Sequence, residues 1–331
     1  MPQAAKNAAA AGTLGGFMKK IIATAVLACS ISFGAGAAKA ETFLTILTGG
    51  TSGIYYPLGV ALSSIYADGM EGVRTSVQST KASVENLNLL QRQRGEMALA
   101  DSAGRAWRGE AEAGFPRKLD KLRVLAAIYP NYLQIVTRAD SDIHSLADLK
   151  GKRMAVGAPK SGTELHARTV LTAAGMSYDD LKQVEYLPFG ESVELMKNRQ
   201  IDAALISAGM GVAAIRDLSA STPVKVVSIP REVLERIEDP GYIAAILPEG
   251  TYDGIDADVP IVGVRNYLVS HDEVPEDMAY NMVRLMFENM DQMIAAQAAA
   301  REIKLEAAAK DLPLPLHPGA ERYYREIGQL N

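Results

Sequence analysis

The chain has 331 residues, with 34 basic against 39 acidic side chains and a formal net charge of −5. That length can bury one large core or two medium ones, and an acidic chain without a basic cluster is unsuited to nucleic acid or to an anionic membrane surface. The single cysteine, Cys29, rules out a disulfide framework, so stability must come from packing.

The N-terminus reads as an export signal. Lys19 and Lys20 precede a mostly apolar run, residues 21–32, and Ala38-Lys39-Ala40 offers the small-x-small pattern of a signal-peptidase site. The run is shorter than the roughly 20 apolar residues that span a bilayer. The expectation is a signal peptide over residues 1–40, cleaved after Ala40, and release into the periplasm. Met18, just before the two lysines, is the natural start. Cys29 sits in a sequence that resembles a lipoprotein site, but the leucine is one place off. Without the four lysines of this segment, 30 basic residues remain against 39 acidic ones.

Short β-type runs then alternate with helical patterns. Strands are predicted over 42–47, 73–77, 97–100, 124–128, 133–136, 153–156, 184–187, 203–206, 224–228 and 259–264. Helices are predicted over 57–66, 84–93, 163–174 and 192–198, and one long helix over 275–297, opened by Pro275, Glu276 and Asp277. This alternation predicts an α/β protein with mainly parallel sheets. Two stretches look alike. Ser83-Val84-Glu85 opens a helix feeding the strand Met97–Ala100, and Ser192-Val193-Glu194 opens one feeding Ala203–Ile206. A repeat of this kind predicts two similar lobes. The long C-terminal helix must cover the outside of the first sheet, so the chain crosses back near residue 260. Lobe 1 is then 41–130 with 261–331, lobe 2 is 131–260, and two crossings form the hinge. Ligands of such sheets sit in the cleft at the carboxyl ends of the strands.

The strongest local motif is Thr48-Gly-Gly-Thr-Ser-Gly-Ile-Tyr-Tyr-Pro57, which follows a strand and opens a helix. Its glycines let the backbone aim N–H groups at one point, Thr51 and Ser52 add hydroxyls, and the helix start adds partial positive charge. That describes an anion site. It is neither a P-loop, which needs Gly-Lys-Ser/Thr, nor a dinucleotide fingerprint. A second such turn, Pro159-Lys-Ser-Gly-Thr-Glu164, opens a helix in lobe 2. One helix start per lobe would grip a carboxylate from both sides. Tyr129, Asn131 and Tyr132 at the first crossing either line the cleft or pack the hinge. The four histidines, His144, His166, His271 and His317, are scattered without ligand spacing, so no metal site is expected. His166, one turn into its helix, is expected at the surface more than in the cleft. No cofactor motif and no Gly-x-Ser-x-Gly elbow occurs, so no catalytic residue is assigned.

Several of these stretches resemble the TAXI family of solute receptors for tripartite ATP-independent periplasmic (TRAP) transporters. The likeness rests on Thr48–Pro57 and Ser83-Val-Glu-Asn86, on Ser145–Lys152, Ser161-Gly-Thr-Glu164 and Pro248–Tyr252, and on Pro313–Tyr324 near the end. It implies a type II periplasmic binding protein fold and membrane transporter subunits as partners. It implies uptake driven by an ion gradient and ligands of the glutamate, glutamine or 2-oxoglutarate class; a monomer is expected. Carried over, ligand contacts fall on Gly50, Thr51, Tyr55, Ser83, Asp101 and Ser161, Gly162 and Thr163; Ser52 and Asn131 join them from the reading above. One departure is Lys81-Ala82-Ser83, where the family commonly has glycine before the serine; Lys81 is expected on the rim. A ligand sensor for a signalling partner and an enzyme acting on a small carboxylate are the alternatives to a transport receptor.

Overall fold

The computed structural model describes residues 41–330; the expected signal peptide, its cleavage site and Cys29 lie outside them. The chain opens with β1 (Thr42–Leu47), α1 (Tyr55–Gly69), β2 (Val73–Gln78), α2 (Ser83–Gln91), β3 (Met97–Ala100), α3 (Ala103–Arg108) and β4 (Leu122–Ala127). It crosses to a second lobe for β5 (Asn131–Arg138), β6 (Arg153–Ala155), α4 (Gly162–Ala173), β7 (Gln183–Glu185), α5 (Phe189–Lys197) and β8 (Ala203–Ala208). There it continues through α6 (Ala213–Ser219), β9 (Val224–Val227), α7 (Arg231–Leu234), β10 (Tyr242–Leu247) and β11 (Val259–Val264). It returns for β12 (Tyr267–His271), α8 (Glu276–Glu288), α9 (Met290–Ala296) and α10 (Pro318–Glu326).

The first sheet has the order β2-β1-β3-β12-β4, and the second β10-β11-β5-β8-β6-β7, with β9 also beside β5. In each lobe the first βαβ units are parallel, as their crossovers require: β1 with β2 and β3, and β6 with β7 and β8. The strands that arrive from the other lobe run the opposite way. β12 is antiparallel to β3 and β4, and β5 to β8, β9 and β11. Such a strand enters at the cleft, where its neighbours finish, and must run against them. The sheets are therefore mixed rather than mainly parallel. From the α2 and α5 sides inward the two lobes follow one plan, β2-β1-β3-β12-β4 matching β7-β6-β8-β5-β11. The look-alike stretches α2–β3 and α5–β8 occupy equivalent places in it.

Two further points differ from the sequence reading. β11 pairs with β10 and β5, so the chain stays in the second lobe past residue 261 and returns at Arg265–Asn266. The outward crossing is Ile128–Pro130, and Ile128 N–H donates to the Asn266 carbonyl at 2.9 Å, tying the two crossings together. The expected single helix over 275–297 is broken at Asn289 (φ −121°, ψ 32°). Its side-chain Nδ2 donates to Leu285 O at 2.8 Å, the local side-chain bond by which asparagine competes with helical backbone. α8 keeps its expected opening, with Glu276 and Asp277 in the first turn and Met278, Met282, Val283 and Met286 buried.

A candidate solute site between the lobes

Four helices begin at the cleft. α1 and α2 start there from the first lobe, and α4 and α5 from the second. The starts of α1, α2 and α5 carry no side-chain cap. At α4 the Ser161 hydroxyl accepts only from Glu164 N–H, at 3.0 Å. A helix start leaves its first N–H groups without intrahelical partners and carries about half a positive charge. The four together surround one cavity of about 110 Å³. A single water needs roughly 10–15 Å³ of such space, so the cavity fits a small solute and not a polymer.

Nine of the ten expected contact residues line this cavity. Gly50, Ser52, Tyr55, Ser83 and Asp101 do so from the first lobe, and Asn131, Ser161, Gly162 and Thr163 from the second. Thr51 does not: it is exposed and outside the lining, because Gly53 N–H bonds back to Gly50 O at 3.1 Å and the turn carries Thr51 on its outer side. Lys81 lines the cavity while itself exposed, a rim position. Tyr129 and Tyr132 are outside the lining and pack the hinge; the Tyr132 hydroxyl donates to Glu302 at 2.6 Å. Phe189, Pro188, Thr80 and Ser207 also line the cavity and were not expected from the sequence.

The polar wall is a buried network. The Tyr55 hydroxyl donates to Asn266 Oδ1 at 3.0 Å and accepts from Asn131 Nδ2 at 2.9 Å, joining both crossings. Burial first, then the charge of Asp101, pushes the Tyr55 phenol well up, so it stays a neutral donor. Asn131 also donates to Asp101 Oδ2 at 3.0 Å, and Ser102 Oγ donates to Asp101 Oδ1 at 2.7 Å. His166 Nε2 lies 3.1 Å from Asp101 Oδ2, off hydrogen-bond alignment, and His166 Nδ1 meets the Tyr242 hydroxyl at 2.6 Å. Burial alone would raise the Asp101 carboxyl. His166 and the bonds from Ser102 and Asn131 outweigh it and hold the group below its ordinary value. His166 is thus fully buried across the cleft from Asp101 and not on the surface.

The lobes are drawn together around this network. Glu85 N–H donates to Lys160 O at 3.1 Å, Gly190 N–H to Ser52 Oγ at 3.1 Å, and Arg108 pairs with Asp239 at 3.2 Å. Gly162 sits against Asp101 so closely that a Cβ there would collide with the carboxylate. Among the described residues no cluster of three or more His, Cys, Asp or Glu could hold a metal.

Residues 46–328 match the profile of the NMT1-like family. The chain belongs to that family. The fold of this NMT1-like protein is similar to PhnD1 from Prochlorococcus marinus (MIT 9301), solved in complex with methylphosphonate. The two share 12% identity at a TM-score of 0.56, over 88% of this chain and 100% of that one. A structure described as a periplasmic transporter matches at 11% identity and a TM-score of 0.53, over 88% and 94%. The periplasmic aliphatic sulphonate binding protein SsuA from Escherichia coli matches at 14% identity and 0.46, over 88% and 80%. The first two carry the fold, the two-lobe α/β fold of periplasmic binding proteins.

Proposed function

We propose that this protein works in the periplasm as the receptor of a tripartite, ion-gradient-driven transporter of the TAXI type. It captures a small carboxylate of the glutamate, glutamine or 2-oxoglutarate class and hands it to the membrane subunits. The observation that carries the ligand class is the meeting of four helix starts on one small cavity. Uncapped N–H groups and the positive ends of helix dipoles complement an anion without needing a buried lysine or arginine. A solute held by both lobes binds the closed arrangement better and so favours it. Charge-assisted hydrogen bonds contribute about 1.5–3 kcal/mol each, and a micromolar Kd corresponds to about 8 kcal/mol. A handful of such bonds therefore suffices after ordering costs. The TAXI assignment is supported by the stretches from Thr48 to Pro57 and from Pro313 to Tyr324.

A thermal-shift series on the purified chain tests this reading, because a ligand bound only by the folded state raises the Tm. Glutamate, glutamine or 2-oxoglutarate at about 100 times Kd adds roughly 2.7 kcal/mol of stability, a rise of several degrees. Methylphosphonate serves as the contrasting anion, since the PhnD1 structure holds it. A shift with methylphosphonate and none with the three acids would replace the carboxylate class.

A further inference from the structure

The repeated plan of the lobes places two residues in matching positions. Met97-Ala-Leu-Ala100 is followed by Asp101 and Ala203-Ala-Leu-Ile206 by Ser207, each near the cleft end of the strand lying between β1 and β12 or between β6 and β5. Both residues line the cavity. Their bonding differs. Asp101 accepts from Ser102 and Asn131 and has His166 Nε2 3.1 Å away, so its carboxylate is well supplied with partners. Ser207 is buried, and its Oγ has no hydrogen-bond partner. Buried hydroxyls are nearly always bonded, and leaving one unpaired is costly. The hydroxyl is shielded in its present rotamer, while the residue forms part of the cavity wall. One rotation about the Cα–Cβ bond moves it between staggered positions.

We propose that Ser207 is a solute-binding residue, whose hydroxyl turns into the cavity and donates a hydrogen bond to the bound anion. This assignment rests on the carboxylate reading above. The hydroxyl then gains in the complex the partner it lacks in the free protein, so its cost is met only when solute is present. A merely structural serine would behave in the opposite way, since its removal would lower the stability of the free chain.

The test is Ser207→Ala, measured by calorimetric titration with L-glutamate, L-glutamine and 2-oxoglutarate, and by the Tm of the free protein. Losing a charge-assisted bond weakens Kd roughly tenfold or more for the acid that binds the parent, while the free-protein Tm stays level or rises. Equal Kd for parent and variant overturns the assignment of Ser207 and leaves the carboxylate reading standing. A lowered free-protein Tm with unchanged Kd overturns it as well, in favour of a packing role. Failure of all three acids to bind the parent removes the carboxylate reading and this assignment with it.

Discussion

In the first lobe β3 runs into a buried carboxylate, Asp101, and α2 begins at a backbone forced into an unusual conformation at Ala82 (φ 72°, ψ −148°). In the second lobe the matching strand β8 carries a neutral hydroxyl, Ser207, and α5 begins at Pro188 in a relaxed one (φ −58°, ψ 161°). The second lobe instead supplies what the first needs in order to close: glycine at 162, where Asp101 must fit, and His166 opposite its charge. Two halves with one topology have thus divided the work. One holds the buried carboxylate, and the other is shaped to accept it.

The largest test of that division is Gly162→Ala. Gly162 is the first residue of α4, a position where alanine suits the helix, so the second lobe should fold normally. The added Cβ would overlap Asp101 Oδ1 only when the lobes are together. Solute affinity should fall roughly a thousandfold, from micromolar to millimolar, a loss of about 4 kcal/mol, as read by calorimetric titration. Affinity within a few-fold of the parent would mean that the solute is held with the lobes apart.

Asp101→Asn breaks the same contact from the charged side. The carboxylate accepts buried hydrogen bonds from Ser102 and Asn131, and bonds to a charged group contribute about 1.5–3 kcal/mol each, so the Tm at neutral pH drops by several degrees. The pH dependence distinguishes this from simple loss of packing. The folded carboxyl titrates below its ordinary value near 3.8. Its contribution to stability is therefore fully present above that value and is lost as pH falls through the lower, folded one. The Tm gap between parent and variant should stay constant from pH 7 to about pH 4 and close only in stronger acid. A gap that closes near neutrality would assign the effect to another group.

Much of this division could be read in the sequence, for a physical reason. Glycine-rich turns between a strand and a helix have few structural solutions, so Thr48–Pro57 and Pro159–Glu164 disclosed their helix starts directly. The likeness of Ser83–Ala100 to Ser192–Ile206 disclosed the paired lobes. The same repeat, extended by one residue, sets Ser207 beside Asp101 and could have found it. The pairing of His166 with Asp101 was hidden because the two are 65 positions apart and meet only through closure. Strand direction was misjudged for β5 and β12 because apolar pattern does not record from which end a strand is entered. Asn289 broke the long helix through a side-chain bond that leaves the apolar spacing of 275–297 intact.

The smallest expected effect separates the two lobes most cleanly, because it has opposite signs in each. Ala82 occupies a region of backbone space that is essentially reserved for glycine, where another residue costs about 1–3 kcal/mol. It is held there at both ends: its N–H donates to Thr80 Oγ1 at 2.9 Å, and its carbonyl accepts from Asn86 N–H at 2.9 Å. Asn86 in turn donates to Thr48 O at 2.7 Å and to Leu99 O at 3.0 Å, anchoring the turn to β1 and β3. Ala82→Gly releases the strain and loses about 0.4–1 kcal/mol through the freer unfolded chain. The net gain is about 1 kcal/mol, a Tm rise of roughly 2–4 °C. Pro188→Gly at the relaxed start of α5 has no strain to release and only frees the unfolded chain, so its Tm falls. A Tm that falls for both variants would mean that Ala82 sits at ease, and that the first lobe stores no more strain at its helix start than the second.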